Sequence, residues 1–238
     1  MKSLKRFVFP KSRRLNANRL NEVYRNLYKA FGPQKWWPGE SPFEIMVGAI
    51  LTQNTSWANV EKAIRNLKQA RKLSPPAILK LKDRKLAELI RPSGYFNVKA
   101  KRLKIFVDFL FKKFGGDIRL MARVDGRALR VELLQIPGIG PETADSILLY
   151  ALGKPFFVID AYTKRIFARH RLSFESRPTS PPRLVDLPYS AWQEIFTRHF
   201  SPDVSLYNDF HAQIVRLGKT YCKASVTLCS ACPLAKYL

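Results

Sequence analysis

The chain has 238 residues, and its 42 Lys and Arg against 18 Asp and Glu give a formal net charge of +24. Hydrophobic residues make up 46%, enough to build a real core, so wholesale disorder is excluded. The charge favours a polyanionic partner. Apolar runs such as residues 45–51 fall far short of the roughly 20 residues that span a bilayer, so nucleic acid is the expected partner and a membrane is not. Residues 1–14 are basic but lack the apolar stretch and cleavage site of a secretory signal, which places the expected location in the cytoplasm, with the nucleoid.

Helical spacing dominates along the chain. Leu20, Val23, Tyr24, Leu27, Tyr28 and Phe31 share one face of a helix that should stop at Gly32-Pro33. Ser41-Pro42 is a start signal with proline at an early helical position. The apolar run 43–51 that follows suits a buried helix by its length, although a strand would read the same. Further helices are predicted over residues 59–69, 75–81, 86–90, 98–114, 127–134, 141–152, 161–170, 189–200 and 207–217. Period-two alternation and hairpin signals are missing, so the expected fold class is all-α. Residues 174–188 carry four of the 16 prolines and read as an irregular connection.

The most informative stretch is residues 129–170, LRVELLQIPGIGPETADSILLYALGKPFFVIDAYTKRIFARH. One helix ends at Ile136, Pro137-Gly138-Ile139-Gly140 makes a tight turn, and Pro141 opens another helix. Ala144, Ile147, Leu148 and Ala151 form the buried stripe of that second helix. Both glycines can take positive φ and admit a second backbone at close range. Their amides, beside a helix start, can hold a phosphate oxygen, which grips a duplex without reading its sequence. PGIG alone would serve as well for a plain helix–helix turn. After Gly153, however, the apolar run 155–159 leads straight to Asp160 at the start of the next helix.

PGIGPETA followed by FFVIDAYTKRIF resembles the helix–hairpin–helix and Gly/Pro-rich loop with aspartate of the endonuclease III superfamily of DNA glycosylases. SPFEIMVGAILTQNT, RPSGYFNVKAKRL and the cysteine tail extend the resemblance, in order and spacing, over most of the chain. WWP at residues 36–38, with LTQNT and RPSGYFN, is most similar to the 3-methyladenine DNA glycosylase branch. The expected architecture is two α-helical lobes with a DNA-binding cleft between them. One lobe is 34–154, and the other joins 1–33 to 155–238. The expected partner is double-stranded DNA containing damaged bases, bound by a monomer.

Asp160, standing just before a helix, reads by itself as a cap for orphan amides. The resemblance puts it on the family's catalytic aspartate. The chemistry agrees: breaking an N-glycosidic bond builds positive charge on the sugar, which a fixed carboxylate stabilises while it orients water. Glu142 stands where bifunctional relatives carry the lysine whose amine attacks the sugar. Glutamate cannot form a Schiff base, so the resemblance implies a monofunctional enzyme that leaves an abasic site. As a plain helix residue, Glu142 simply favours the positive end of the helix dipole. Lys154 and Lys164 carry amines but do not match the lysine's position.

Base flipping needs a filler for the gap and a holder for the extruded base. The resemblance implies that Gln53-Asn54 and Tyr95 enter the duplex and that Gly138, Ile139, Gly140 and Thr143 contact it. It also implies a base pocket of Trp36, Trp37 and Trp57, although each of these aromatics could equally be core. A purine alkylated at N3 or N7 is cationic, so its bond to the sugar is already weak. Electron-rich rings select such a cation by roughly 0.5–2 kcal/mol per partner.

The three cysteines, Cys222, Cys229 and Cys232, lie in the last 17 residues, too few and too clustered for a disulfide framework. Their C-x6-C-x2-C spacing resembles the family's iron–sulfur loop, which implies a [4Fe–4S] cluster. A fourth cysteine is absent, because that position is Leu238. Zinc, with His211 or His199 as a further ligand, or no metal at all, are the alternatives. Two rival functions stay open on the sequence. One is a bifunctional glycosylase/lyase acting on oxidised pyrimidines, and the other is a non-enzymatic DNA-binding module.

Overall fold

The computed structural model describes residues 17–34, 36–170 and 187–237. Among these the fold is all-α, with one isolated bridge, Cys222 to Thr227, as the sole β contact. No helix among them is long and apolar enough to cross a membrane. Most of the expected proline-rich connection at 174–188, and Leu238, lie outside the described residues. The chain divides into two compact units, Trp37–Phe156 and Met1–Trp36 with Phe157–Leu238.

The unit Trp37–Phe156 is built around α2 (Pro42–Leu51). Ser41 caps it by accepting the Glu44 amide at 3.2 Å, and Pro42 occupies the first turn, where its missing N–H costs nothing. This run, ambiguous in sequence, is a helix because neighbours surround it, and a helix apolar on all sides belongs in a core. Against it pack α3 (Trp57–Gln69) and α6 (Phe96–Phe114), and α4 (Pro75–Lys80) and α5 (Asp83–Leu89) pack in turn on α6. Met46, Val47 and Ile50 of α2 and Leu103, Phe106 and Val107 of α6 are all fully buried in one cluster.

The sequence does not predict α7 (Ile118–Arg123). Asp117 starts it by accepting the Arg119 amide at 2.8 Å. Next come α8 (Gly126–Leu134) and α9 (Pro141–Ser146), the two arms of the hairpin. The second arm is expected to be α-helical to residue 152, but it widens into a π turn over Ile147–Ala151, a feature that recurs at functional sites. Arg130 on α8 binds the fully buried Asp145 on α9 through contacts of 2.5 and 3.1 Å, which fixes the angle between the arms.

The second unit contains α1 (Ala17–Phe31), α10 (Ala161–Arg169), α11 (Tyr189–Thr197) and α12 (Val204–Thr220). Its core is aromatic: Phe157 stacks on Phe196 at 4.0 Å, and Tyr207 and Phe210 meet Phe157 edge-on. Helix α12 packs against both α1 and α10. On the α10 side, a Cβ at Gly218 would lie 2.2 Å from the Tyr162 ring, so only glycine allows this approach.

Candidate active site

Residues 154–159 form an irregular lead into α10, and Phe157, Val158 and Ile159 of it are buried. Helix α11 satisfies part of their backbone. Gln193 donates to the Phe157 carbonyl at 2.8 Å, and the Ile159 amide donates to the Tyr189 hydroxyl at 3.2 Å. The lead delivers Asp160 to the N-cap of α10 in an extended conformation. Its Oδ1 accepts the Thr163 amide at 2.7 Å and the Thr163 hydroxyl at 2.9 Å, while Oδ2 stands 3.5 Å from Nε2 of His211 on α12.

Burial works to raise the Asp160 pKa, but the His211 imidazole and the two Thr163 hydrogen bonds outweigh it and hold the carboxyl below its ordinary value. The result is a rigid carboxylate that stays ionised at neutral pH. It is suited to offsetting positive charge and a poor proton donor. His211, weighed in the sequence as a zinc ligand, is the residue that holds this anion. Fifty-one positions separate the two, so no local pattern could have paired them.

The unit Trp37–Phe156 carries the hairpin, Gln53, Asn54, Tyr95, Trp37, Trp57 and Glu142. Gly138 has φ +90° and is exposed, whereas Gly140 has φ −90° with open space where a Cβ would stand. Only Gly138 therefore needs glycine's freedom. What approaches it is the side chain of Arg102, whose Cγ lies 2.6 Å from where a Cβ would stand, and not a second backbone. The Ile139 side chain is buried in the core and its amide closes the turn onto Ile136 at 3.0 Å, so its side chain does not face outward. Thr143 is buried as well, and its hydroxyl accepts from Gln53 at 2.9 Å.

Gln53 is tied to the hairpin. Its amide also donates to the Gly138 carbonyl at 2.9 Å, and its carbonyl accepts from Arg102. Asn54 is exposed with φ +54°, and Tyr95 is 71% exposed with φ +45°. Among the described residues only three non-glycine positions have positive φ, the third being Arg71. Two of the three thus coincide with the expected duplex-entering loops, where stored backbone strain is typical of working sites.

Trp37 and Trp57 meet edge-on at 5.1 Å, and Tyr150, which sequence reasoning missed, lies 5.0 Å from Trp37. Gly48 of α2 faces both tryptophans, each within 3.5 Å of where its Cβ would be, and so leaves room for the rings. Trp36 belongs to the other unit, with the Lys219 ammonium 5.5 Å from its ring. Glu142 is exposed in the first turn of α9. The Lys154 amine is occupied by the Val124 carbonyl at 2.7 Å.

In the cysteine loop, Cys222 accepts from Arg169 at 3.3 Å, and Cys232 accepts the Leu234 amide at 3.4 Å and lies 4.0 Å from Nε2 of His170. Burial pushes the Cys232 thiol up, and its neighbours Cys222 and Cys229 add to this, while the Leu234 amide works the other way. No three His, Cys, Asp or Glu among the described residues converge into a set that could hold a metal ion. Position 238, where the resemblance puts the last ligand, lies outside them. The donor set therefore does not fit a cluster as it stands, and the base chemistry is derived without one.

Residues 47–182 match the family described as HhH-GPD superfamily base excision DNA repair protein. A Methanocaldococcus jannaschii protein provisionally named a DNA repair glycosylase, MJ1434, is 44% identical over 91% of this chain and 94% of its own length. Endonuclease III of Thermotoga maritima is 28% identical over 92% of this chain and 91% of its own. Among solved structures, the H. pylori 3-methyladenine DNA glycosylase MagIII bound to 1,N6-ethenoadenine superposes with a TM-score of 0.68 at 30% identity. It covers 86% of this chain and 98% of its own. An endonuclease III–DNA complex superposes with a TM-score of 0.76 at 21% identity over 94% of this chain and 95% of its own, a likeness of fold.

Proposed function

This chain belongs to the HhH-GPD superfamily of base excision DNA repair proteins, and from that membership we propose a monofunctional glycosylase that releases an alkylated purine of the 3-methyladenine type from duplex DNA. The observation that carries the reading is Asp160, a carboxylate held ionised by Thr163 and His211. As the C–N bond lengthens, charge moves onto the sugar. A preorganised anion opposes it without having to reorganise, and its second oxygen orients the attacking water. The same carboxylate, being a weak acid's conjugate base below its ordinary pKa, does not protonate the leaving base. That suits a leaving group that is already cationic.

Three further features support the finer points. Glu142 puts a carboxylate where lyase chemistry needs an amine, and the Lys154 amine is engaged by a carbonyl. Trp37, Trp57 and Tyr150 present electron-rich rings to a cationic base. The hairpin turn at Gly138 and Gly140 grips phosphate, Asn54 and Tyr95 lead the entry into the duplex, and Gln53 follows once it leaves its hairpin partners. The enzyme acts as a monomer. The cysteine spacing supports a [4Fe–4S] cluster only with a fourth ligand from outside the described residues. Iron and acid-labile sulfide in the purified protein, at about four of each per cluster, are its test.

The functional test gives wild type and Asp160→Asn duplexes that carry either a methylated purine or an oxidised pyrimidine, and scores free base and strand breaks separately. Methylated base released by wild type alone, with breaks only after alkali, is the expected result. Breaks without alkali, mainly at oxidised pyrimidines, would establish the bifunctional chemistry instead. Tight duplex binding with no base released from either substrate would establish a binding module.

A further inference from the structure

Helix α6 buries a positive charge at its start. Lys99 is 1% exposed, and its ammonium donates to the Leu51 carbonyl at 2.8 Å and the Ser93 carbonyl at 2.7 Å. Both acceptors sit at helix ends, Leu51 closing α2 and Ser93 closing the short 3-10 turn Arg91–Ser93. Carbonyls there have no intrahelical donor and carry the negative end of the dipole, so a buried cation satisfies two of them at once. Leu51 lies two residues before Gln53 and three before Asn54, and Ser93 two before Tyr95. One ammonium thus bolts together the roots of two loops, each of which carries a left-handed, exposed residue at its tip. One turn along the same helix, Arg102 binds Gln53 and lies over Gly138, joining the hairpin to the same frame.

We propose that Lys99 is a positioning residue for base extrusion, clamping the loop at Asn54 to the loop at Tyr95 so that both enter the duplex as one rigid wedge. The inference rests on the reading of these loops as duplex-entering. An apolar side chain would fill the same space but leave both carbonyls without a donor, and each loop could then shift independently. A misplacement of about 1 Å at a distance from the chemistry can cost on the order of a hundredfold in rate. Extruding a base that is already unpaired needs far less work, so the clamp matters most where the lesion is stacked and paired.

The test compares wild type with Lys99→Met on two substrates, a methylated purine in a fully paired duplex and the same lesion opposite an abasic site. A 2-aminopurine beside the lesion reports unstacking. The expected result is a loss of at least about tenfold in base release and of the fluorescence rise on the paired duplex. The loss should be no more than about threefold on the unpaired lesion. An equal loss on both substrates, or no loss on either, overturns the clamp. Should wild type release no base from either duplex, the glycosylase reading falls, while the 2-aminopurine signal still judges the clamp because it needs no chemistry. Should Lys99→Met fail to fold, hydrogen exchange of wild type with and without duplex replaces it. Residues 52–55 and 94–95 are expected to gain protection together, and a gain at only one of them overturns the proposal.

Discussion

Replacing Asp160 by asparagine and by alanine separates the two jobs of one carboxylate. As a cap, Oδ1 takes the Thr163 amide at 2.7 Å and the hydroxyl at 2.9 Å. Asparagine keeps an oxygen in that position and ranks with aspartate as an N-cap. The loss is then the charge-assisted share of those bonds and the His211 contact, about 1 kcal/mol in all. Alanine forfeits the cap itself, for about 2 kcal/mol. In a chain of this size those losses lower the melting temperature by roughly 2–4 °C and 4–8 °C respectively.

Base release should follow the charge and not the cap. Both variants remove the fixed anion, and each is expected to lose about a hundred- to a thousandfold in the single-turnover rate. Thermal unfolding and single-turnover base release on the same preparations make the comparison. Asparagine retaining base release within a factor of about three would refute the electrostatic role. The pH dependence has a definite sign. A carboxyl held below its ordinary pKa in the folded state stabilises above the unfolded pKa and loses that contribution as pH falls through the folded one. The stability gap between wild type and Asp160→Asn should therefore close below about pH 4.

Three other perturbations read the scaffold. Gly138→Ala places a Cβ at φ +90° and against Arg102. It should cost about 1–3 kcal/mol and weaken binding to undamaged and damaged duplex alike in a titration, whereas wild-type affinity would remove the hairpin from the interface. Arg130→Met leaves the Asp145 charge buried without its guanidinium, for about 3–5 kcal/mol in urea unfolding. Adding Asp145→Leu should recover most of that, and a single-variant cost under about 1 kcal/mol would contradict the pairing. Burial, aided by the Arg102 charge, lowers the Lys99 pKa to about 8. Between that value and its ordinary one, the unfolded chain holds a proton that the folded chain has shed. Wild type should therefore gain on Lys99→Met by up to about 3 kcal/mol as pH rises from 8 toward 10; a flat difference would mean the ammonium is solvated.

What the sequence made legible was whatever is decided within a turn or two of the chain. Ser41-Pro42 starts α2, Gly32 with φ +67° follows the end of α1, and Gly115 with φ +60° stops α6, each through chemistry confined to a few residues. The hairpin turn and the cap at Asp160 are local in the same sense. The role of Gly140 was not legible, because two glycines in one turn do not say which of them bends to positive φ. Nor was α7 (Ile118–Arg123). Tyr150 beside Trp37 and Lys99 beneath two loops escaped notice for a different reason: Tyr150 meets a ring far away in the chain, and Lys99 joins nearby Ser93 to Leu51, 48 positions away, through helix packing that no periodicity encodes.

The same division runs through the active site. Local signals place a carboxylate at the start of α10, but they would place one equally well on an ordinary capped helix. His211 adds a contact that helps hold Asp160 ionised despite its burial, and it comes from α12, which reaches α10 because Gly218 yields to Tyr162. Glycine inside a long helix costs about 1 kcal/mol against alanine. At this position a Cβ would stand 2.2 Å from the Tyr162 ring and 3.1 Å from that residue's own Cβ, so the two helices could not keep their distance. The intrinsically worse helix former is therefore what holds His211 within 3.5 Å of Asp160. A residue that propensity marks as a defect in α12 is a condition for the contact between His211 and Asp160.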